Sequence, residues 1–186
     1  MIDKGLLDKV ALNLSQPPAY GDAGSKGSIL AVAASSYGAR PTRTDQTHPT
    51  GFDPTVAALF EAVVESAFLV ANADGVFDET EKRVFQHVVL GACHGAVESP
   101  QIEALLADLA ELLEEDGMDE RAKMVARTIT RLDHAEEVIR VATLIAYASE
   151  GVSAQEHGVL EKLTAGFGLE PASLEKALTD VESALS

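Results

Sequence analysis

Hydrophobic residues recur along the second part of the chain, from Asp53 to the C-terminus, with the spacing of one helix face. Asp53 and Pro54 have the residue types of an N-cap and a first helical position, and the helix they open should end at Gly75. Further amphipathic segments begin near Asp78, Ser99, Asp119, Asp133, Ala154 and Pro171. No segment alternates in the manner of a strand, so the pattern predicts an all-α, compact bundle of about seven helices.

The first part of the chain, residues 1–52, lacks this sustained period. It is rich in Gly, Ser, Ala, Pro and Thr and contains four of the seven prolines. One segment, IDKGLLDKVALNL, is weakly amphipathic, but Gly5 lowers its helical propensity. A short apolar run, SILAVAA, could pair as a strand or dock on a partner. The composition predicts a low-complexity N-terminal arm or linker over residues 1–52 and a helical domain over residues 53–186.

The distribution of charge supports a boundary near Phe52 and limits the partners. Residues 1–52 carry five Lys and Arg against four Asp, whereas the whole chain has a formal net charge of −16. The acidic excess therefore lies entirely in residues 53–186. Nucleic acid and anionic membrane surfaces need clustered cations, so neither is an expected partner. We expect a protein partner, reached through the N-terminal arm.

Other features of the sequence indicate a soluble cytoplasmic protein. No apolar run approaches the roughly 20 residues of a membrane span, and the start, MIDKGLLDKV, lacks the basic-then-apolar order of a signal peptide. The single cysteine, Cys93, can form neither an internal disulfide nor a zinc site with several thiolates. Any metal chemistry must therefore use oxygen ligands.

Two acidic loops are the candidate functional feature. The first, ANADGVFDETEKRVF at residues 71–85, carries the carboxylates of Asp74, Asp78, Glu79 and Glu81. The second, AYASEGVSAQEHGVL at residues 146–160, repeats it in part, with Glu150 and Glu156 as the matching acids. Hard cations such as Ca²⁺ or Mg²⁺ take several oxygen ligands, which carboxylates on both sides of a tight turn can supply. The first loop is not an EF-hand, because position 6 counted from Asp74 is Glu79 instead of glycine.

A structural interpretation competes with the metal site. Asp78 and Glu81 form a D-x-x-E capping box, and Ser153 and Glu156 form an S-x-x-E box. Capping leaves Asp74 unexplained, and likewise its counterpart in the second loop, because an acid near a helix C-terminus meets the negative end of the dipole. The residues leave both interpretations open: helix caps alone, or caps combined with a divalent cation.

Catalytic patterns are weak. His87 and His94 lie seven residues apart, which is too far for both to bind one ion on a straight helix. Cys93 adjoins His94, and this pair is a weak candidate for a Cys-His nucleophile. The chain has no phosphate-binding glycine loop and no nucleophile elbow. An enzyme that uses clustered acids with Mg²⁺ is the weakest of the alternatives.

The two loops carry a family resemblance. The first copy, Ala73 to Glu81, fits a pattern in which an apolar helix runs into Ala-Asp-Gly, a hydrophobic residue two positions later, and Asp-x-x-Glu. The second copy, Ser149 to Glu156, has Glu for Asp and is one residue shorter. Such a repeat in an acidic, all-helical domain resembles the tellurite-resistance TerB-like family. The resemblance covers residues 53–186.

The resemblance implies a seven-helix fold in which the two loops lie close together and cluster their acids around a divalent cation. Carried onto this chain, the candidate ligands are Asp74, Glu81, Glu150 and Glu156, with Asp78 either supporting them or acting as an N-cap. The ion could be Ca²⁺, Mg²⁺ or Mn²⁺. The resemblance also implies a role in bacterial responses to tellurite or other chemical stress and assembly with other proteins.

One further alternative follows from the same residues. The chain could be a purely structural assembly subunit whose N-terminal arm docks on a partner and whose acids only cap helices. The sequence decides neither between these functions nor on the oligomeric state.

Overall fold

The computed structural model describes residues 4–17, 27–41, 51–148 and 151–186. Within these ranges the chain forms nine α-helices and no β-strand. In chain order they are α1 (Lys4–Ser15), α2 (Ile29–Gly38), α3 (Pro54–Ala71), α4 (Glu79–Ala92), α5 (Ser99–Asp116), α6 (Met118–Thr128), α7 (Leu132–Tyr147), α8 (Ala154–Gly166) and α9 (Pro171–Leu185). The all-α prediction is confirmed for the described residues. Helices α3 to α9 correspond to the seven predicted helices, and α1 and α2 are additional.

Helix α3 is the central helix of the bundle. Asp53 caps it, since its Oδ1 accepts hydrogen bonds from the backbone N–H groups of Thr55 and Val56 at 2.8 and 3.2 Å. The helix packs against α2, α5, α6, α7 and α8. By length and hydropathy its 18 residues could cross a bilayer, contrary to the expectation that no apolar run approaches that length. Because 61% of this segment is buried among other helices, its hydrophobicity is that of a core helix.

Helix α7 packs against α3 and also contacts α1, α2, α8 and α9. Its buried face includes Val138, Ile139, Ala142 and Leu144, each no more than 1% exposed. These side chains and those of α3 form the middle of one hydrophobic core that extends to every other helix. The remaining helices surround this pair, and the α3–α4 and α7–α8 connections each carry one copy of the acidic motif.

Two large apolar residues near the break between α6 and α7 are exposed. Met124 is 37% and Leu132 is 60% exposed. Helix α6 ends at Thr128 because Ile129 takes an extended backbone conformation, with φ −90° and ψ 92°. The helix therefore does not continue to Leu132, and a helical period extended across this break gives the wrong face for that side chain.

The predicted N-terminal arm agrees only roughly with the structure, because the described residues of this segment form the helices α1 and α2. Most of the SILAVAA run lies in α2, whose N-cap Ser28 accepts a hydrogen bond on Oγ from the N–H of Ala31 at 3.1 Å. Apolar side chains of both helices belong to the main core: Leu7, Val10, Leu14, Ile29, Leu30, Ala33, Ala34 and Tyr37. The change in composition near Phe52 therefore does not coincide with an edge of the core.

Close backbone approach explains how these two helices dock. Helix α1 packs on α4, and a Cβ added at Gly91 would lie 3.0 Å from the Cβ of Ala11. At the end of α2, a Cβ added at Gly38 would lie only 1.7 Å from the carbonyl oxygen of Ala96. Glycine is thus required at Gly38 because the loop after α4 occupies the space of a side chain.

Two charged residues of α7 hold the facing ends of α1 and α2. Arg140 donates hydrogen bonds to the carbonyl oxygens of Asn13 and Gln16, at 3.0 and 2.9 Å, at the C-terminal end of α1. Glu137 accepts a hydrogen bond from the N–H of Ile29, at 2.5 Å, at the start of α2. Burial raises the pKa of Glu137, against the lowering effect of this hydrogen bond and of Arg140. Each charge lies at the helix pole that attracts it.

Candidate cation site between two acidic loops

The first loop begins where α3 ends. Asn72 is the C-cap, and Gly75 has a φ of +82°, which reverses the chain direction in a conformation that favours glycine. Asp74 accepts a hydrogen bond on Oδ1 from the N–H of Val76 at 2.9 Å, which fixes the turn around the glycine. This hydrogen bond uses Oδ1 of Asp74, and Oδ2 accepts no hydrogen bond from the residues that the structure describes.

Both predicted capping boxes are present. Asp78 Oδ1 accepts from the N–H groups of Thr80 and Glu81, at 2.7 and 2.9 Å, and Glu81 Oε2 accepts from the N–H of Asp78 at 2.9 Å. In the second loop, Ser153 Oγ accepts from the N–H of Glu156 at 3.2 Å, and Glu156 Oε2 accepts from the N–H of Ser153 at 2.7 Å. The capping prediction is confirmed in both copies.

The missing residue of the second motif does not disturb this equivalence. Glu81 is the third residue of α4 and Glu156 is the third residue of α8. The deletion falls between the loop glycine and the N-cap, because Gly75 precedes Asp78 by three positions and Gly151 precedes Ser153 by two. Both glutamates therefore keep the same relation to a helix N-terminus, whose dipole favours a negative charge.

The two loops meet at one cleft of about 360 Å³. Asp74 and Glu81 of the first loop line it, together with Gly151, Ser153 and Glu156 of the second. The structure thus brings together three of the four predicted ligands, and Asp78 caps α4 without lining the cleft. The fourth predicted ligand, Glu150, lies outside the described residues, and its predicted position facing Asp74 therefore stays a prediction.

An apolar pocket adjoins the cleft. Glu81 and Glu156 also line this smaller cavity of about 30 Å³, whose walls include Phe77, Phe85 and Ile145. The ring of Phe77 lies edge-on to Phe68 and Phe85, with centroid distances of 5.4 and 5.9 Å. Sequence reasoning assigned no role to Phe77, although it is the hydrophobic position of the motif. Its packing fixes the first loop against α3 and α4 and places an apolar wall beside two carboxylates.

The carboxylates that line the cleft are not neutralised by cationic side chains of the described residues. Across the described parts of the chain, no Lys, Arg or His side chain forms an ion pair with Asp74, Glu81 or Glu156. Each of the three carboxylates bonds to a backbone N–H through a single oxygen. A hard cation is the ligand that such oxygens attract. As these side chains lie, however, no three His, Cys, Asp or Glu residues of the described chain are grouped closely enough to hold a metal ion.

The histidine and cysteine candidates do not form a reactive site. Burial raises the pKa of the Cys93 thiol to about 12, so the thiol stays protonated at neutral pH and is a poor nucleophile. His94 lies at the C-terminal end of α4 with a positive φ of 49°, and His87 approaches Asp8 of α1 at 3.8 Å. These contacts are those of a helix end and a helix surface.

Sequence reasoning missed the buried ion pairs. Arg121 of α6 donates from Nε to Glu65 of α3 at 2.7 Å and from Nη1 to Asp116 at the end of α5 at 3.0 Å. The hydrogen bond that Arg121 donates to Glu65 is the main cause that raises the pKa of Arg121. A glutamate on the otherwise apolar α3 is the sequence signal that could have indicated this contact. The triad joins three helices and does not touch the acidic cleft.

Comparison with known proteins adds no relative: no family model, no curated protein and no solved structure matches this chain. The fold and the cleft therefore define the class by themselves, a helical bundle with one acidic motif in each of two connections that meet in space.

Proposed function

We propose that this chain is a non-enzymatic, TerB-like helical interaction domain that binds one divalent cation between its two acidic loops. The observation that carries the proposal is the shared cleft, which Asp74 and Glu81 line from the first motif and Glu156 lines from the second. Two copies of one motif, far apart in sequence, contribute the same residue type to the same small volume.

The hydrogen bonds of the loops support this assignment. Backbone N–H groups hold Asp74 by Oδ1 and hold both Glu81 and Glu156 by Oε2. A carboxylate held in this way loses less conformational entropy on coordinating an ion through its second oxygen. The proposal requires small side-chain rotations and a further ligand, for which Glu150 is the candidate from the sequence. Ca²⁺, Mg²⁺ and Mn²⁺ all accept such oxygen ligands.

The test is thermal unfolding with and without millimolar Ca²⁺, Mg²⁺ or Mn²⁺. A ligand that binds only the folded state at about ten times its Kd adds about 1.4 kcal/mol, which raises the Tm of a chain of this size by about 3–6 °C. The variants Glu81→Gln and Glu156→Gln remove charge but keep a side-chain oxygen for the capping bond. They should abolish the rise in Tm with cation.

Glu79→Gln is the matched control. Glu79 is exposed in the first turn of α4 and does not line the cleft. This variant has the same change in charge and should keep the full response to the cation. An unchanged wild-type Tm with all three ions contradicts the proposal and leaves the capping boxes as the whole function of these acids.

The cellular role rests on the resemblance of the motifs. We propose that the domain acts in the bacterial cytoplasm in the response to tellurite or a related chemical stress, through a protein partner. Growth of a tellurite-sensitive bacterial strain that expresses the wild-type chain, compared with one that expresses the Glu81→Gln variant, tests this role. Equal growth of the wild-type strain and an empty-vector strain on tellurite argues against it.

The alternative of an assembly subunit with a docking arm is narrowed for α1 and α2, because most of their apolar residues are buried in the core. Leu12 of α1 and Val32 of α2 are exposed and are the apolar side chains of these helices that a partner could contact. The capping-only interpretation of the loops is favoured by the two complete capping boxes, and the cation titration distinguishes it from the proposal.

A further inference from the structure

A second cleft, of about 530 Å³, lies between α6 and α8, and its charge has the opposite sign. Lys123 and Arg127 of α6 line it on one side and Lys162 of α8 on the other. Among the described residues, Asp119 is the one acid that lines it. In a chain with 30 Asp and Glu against 14 Lys and Arg, a cleft lined by three cations and one acid is a local inversion of charge.

The cations of this basic cleft already interact with carboxylates of their own chain. Lys162 pairs with Asp119, and Lys123 pairs with Glu120 at 3.3 Å. Arg127 is exposed and forms no ion pair with any described residue. All three cations are at the surface, where ion pairs are weak and exchange readily with other anions. The cleft therefore holds one open cation and two that a stronger carboxylate ligand can recruit.

The floor of the basic cleft consists of small residues. Ala122 and Ala126 of α6 and Gly166 of α8 line it, and a Cβ added at Gly166 would lie 3.3 Å from the Cβ of Ala126. The two helices thus pack closely below the cations and leave an open trough above them. A trough without bulky side chains can admit a polypeptide backbone, with its own side chains directed at the rim.

We propose that the basic cleft between α6 and α8 binds an acidic segment of a partner protein, with carboxylates of that segment on Lys123, Arg127 and Lys162. Charge complementarity supports this occupant, because three cations line one cleft and two of them already pair with carboxylates of this chain. The net charge of −16 repels acidic chains at long range, so binding depends on close contact with the cations of the cleft and selects a segment that fits it. Salt screens these exposed ion pairs and should therefore weaken the contact.

The test uses a fluorescently labelled oligoglutamate peptide as the probe, with fluorescence anisotropy at low salt. Arg127→Glu replaces attraction by repulsion and should weaken binding by about fivefold, the effect of two exposed ion-pair energies. Glu120→Gln removes the internal competitor of Lys123 and should tighten binding by about twofold. Both positions are at the helix surface, and circular dichroism confirms that each variant keeps its helices.

Arg83→Glu provides the matched control, since Arg83 is exposed on α4 and does not line the cleft. It changes the net charge as Arg127→Glu does, and we expect the affinity to change by less than about twofold. Equal weakening by both variants shows a general charge effect and overturns the proposal, as does the absence of binding by the wild-type chain. Competition by inorganic phosphate as strong as by free glutamate peptide also overturns it, because the cleft is then a simple anion site.

Discussion

The N-terminal helices and the acidic loops of this protein are held in place in different ways. The contacts that dock α1 and α2 join residues far apart in sequence, such as Arg140 with Asn13, 127 positions away. The contacts that shape the loops join close neighbours, such as Glu81 with Asp78, three positions away. Local contacts form with their helix, whereas distant contacts form only when the whole bundle is assembled. Because the distant contacts are also partly buried and the local ones are exposed, breaking a distant contact should cost more stability than breaking a local one.

The largest effect is expected for Arg140→Met. The change leaves two carbonyl oxygens of the α1 terminus and the partly buried carboxylate of Glu137 without the guanidinium, and breaking such a pair should cost about 3 kcal/mol. Urea unfolding measures the loss, and hydrogen exchange should show that α1 amides lose more protection than α5 amides. Arg83→Met, at an exposed position of α4, should change stability by less than about 0.5 kcal/mol. Similar losses in the two variants would contradict a specific role for Arg140.

Gly38→Ala is expected to have the next largest effect. The new methyl group would overlap the carbonyl oxygen of Ala96, so α2 or the loop after α4 has to move, at a cost of about 2 kcal/mol. Gly158→Ala is the matched control, because a Cβ at Gly158 meets no atom within 4 Å. Since Gly158 lies inside α8, alanine there should add about 0.5–1 kcal/mol in urea unfolding. A neutral Gly38→Ala variant would show that the docking of α2 tolerates the displacement.

Asp78→Ala tests the cost of breaking a contact between near neighbours in sequence. Loss of the N-cap of α4 should cost about 1 kcal/mol in urea unfolding, with or without divalent cation, because the capping bonds do not depend on an ion. Glu79→Ala, one position later and without a capping bond, is the control and should be close to neutral. A loss for Asp78→Ala as large as that for Arg140→Met would remove the distinction between local and distant contacts.

The smallest effect on stability is expected for Asp74→Asn. Asparagine keeps the oxygen that accepts from the N–H of Val76, so without cation the change should lie within about 0.5 kcal/mol of neutral, or be slightly stabilising. In millimolar Ca²⁺, Mg²⁺ or Mn²⁺ the same variant should lose the rise in Tm. If Asp74→Asn and Asp78→Ala behave alike in both conditions, the division between a capping and a ligand role is wrong.

Much of the candidate site could be predicted because its parts are local. A capping box depends on residue types three positions apart, and a positive φ at Gly75 follows from the need to reverse the chain after α3. The meeting of the two loops followed from the resemblance of the motifs and agrees with the shared cleft. The apolar pocket beside it could not be predicted, since it depends on Ile145 of α7 lying next to Phe77 and Phe85.

Hydrophobic periodicity does not predict the two helices of the N-terminal segment, for reasons that their packing explains. Helix α2, ILAVAASSYG, is apolar or small on nearly every side and lies between α3, α7 and α1, so it has no polar face for a helical period to reveal. Helix α1 is only weakly amphipathic, and it is held by the α7 side chains as well as by its apolar face. In the described part of this segment, residues without a clear amphipathic period belong to helices that pack on the core.

The sequence by itself determined the class of fold, the bounds of most helices after Asp53 and the caps of α4 and α8, because these depend on hydrophobic period and on hydrogen bonds between near neighbours. Only the tertiary structure decided that α1 and α2 complete the core, that Gly38 touches Ala96, and that the cations of α6 and α8 share one cleft. Each of these depends on which distant surfaces fit together, and packing at that precision is a property of the whole bundle rather than of any one segment.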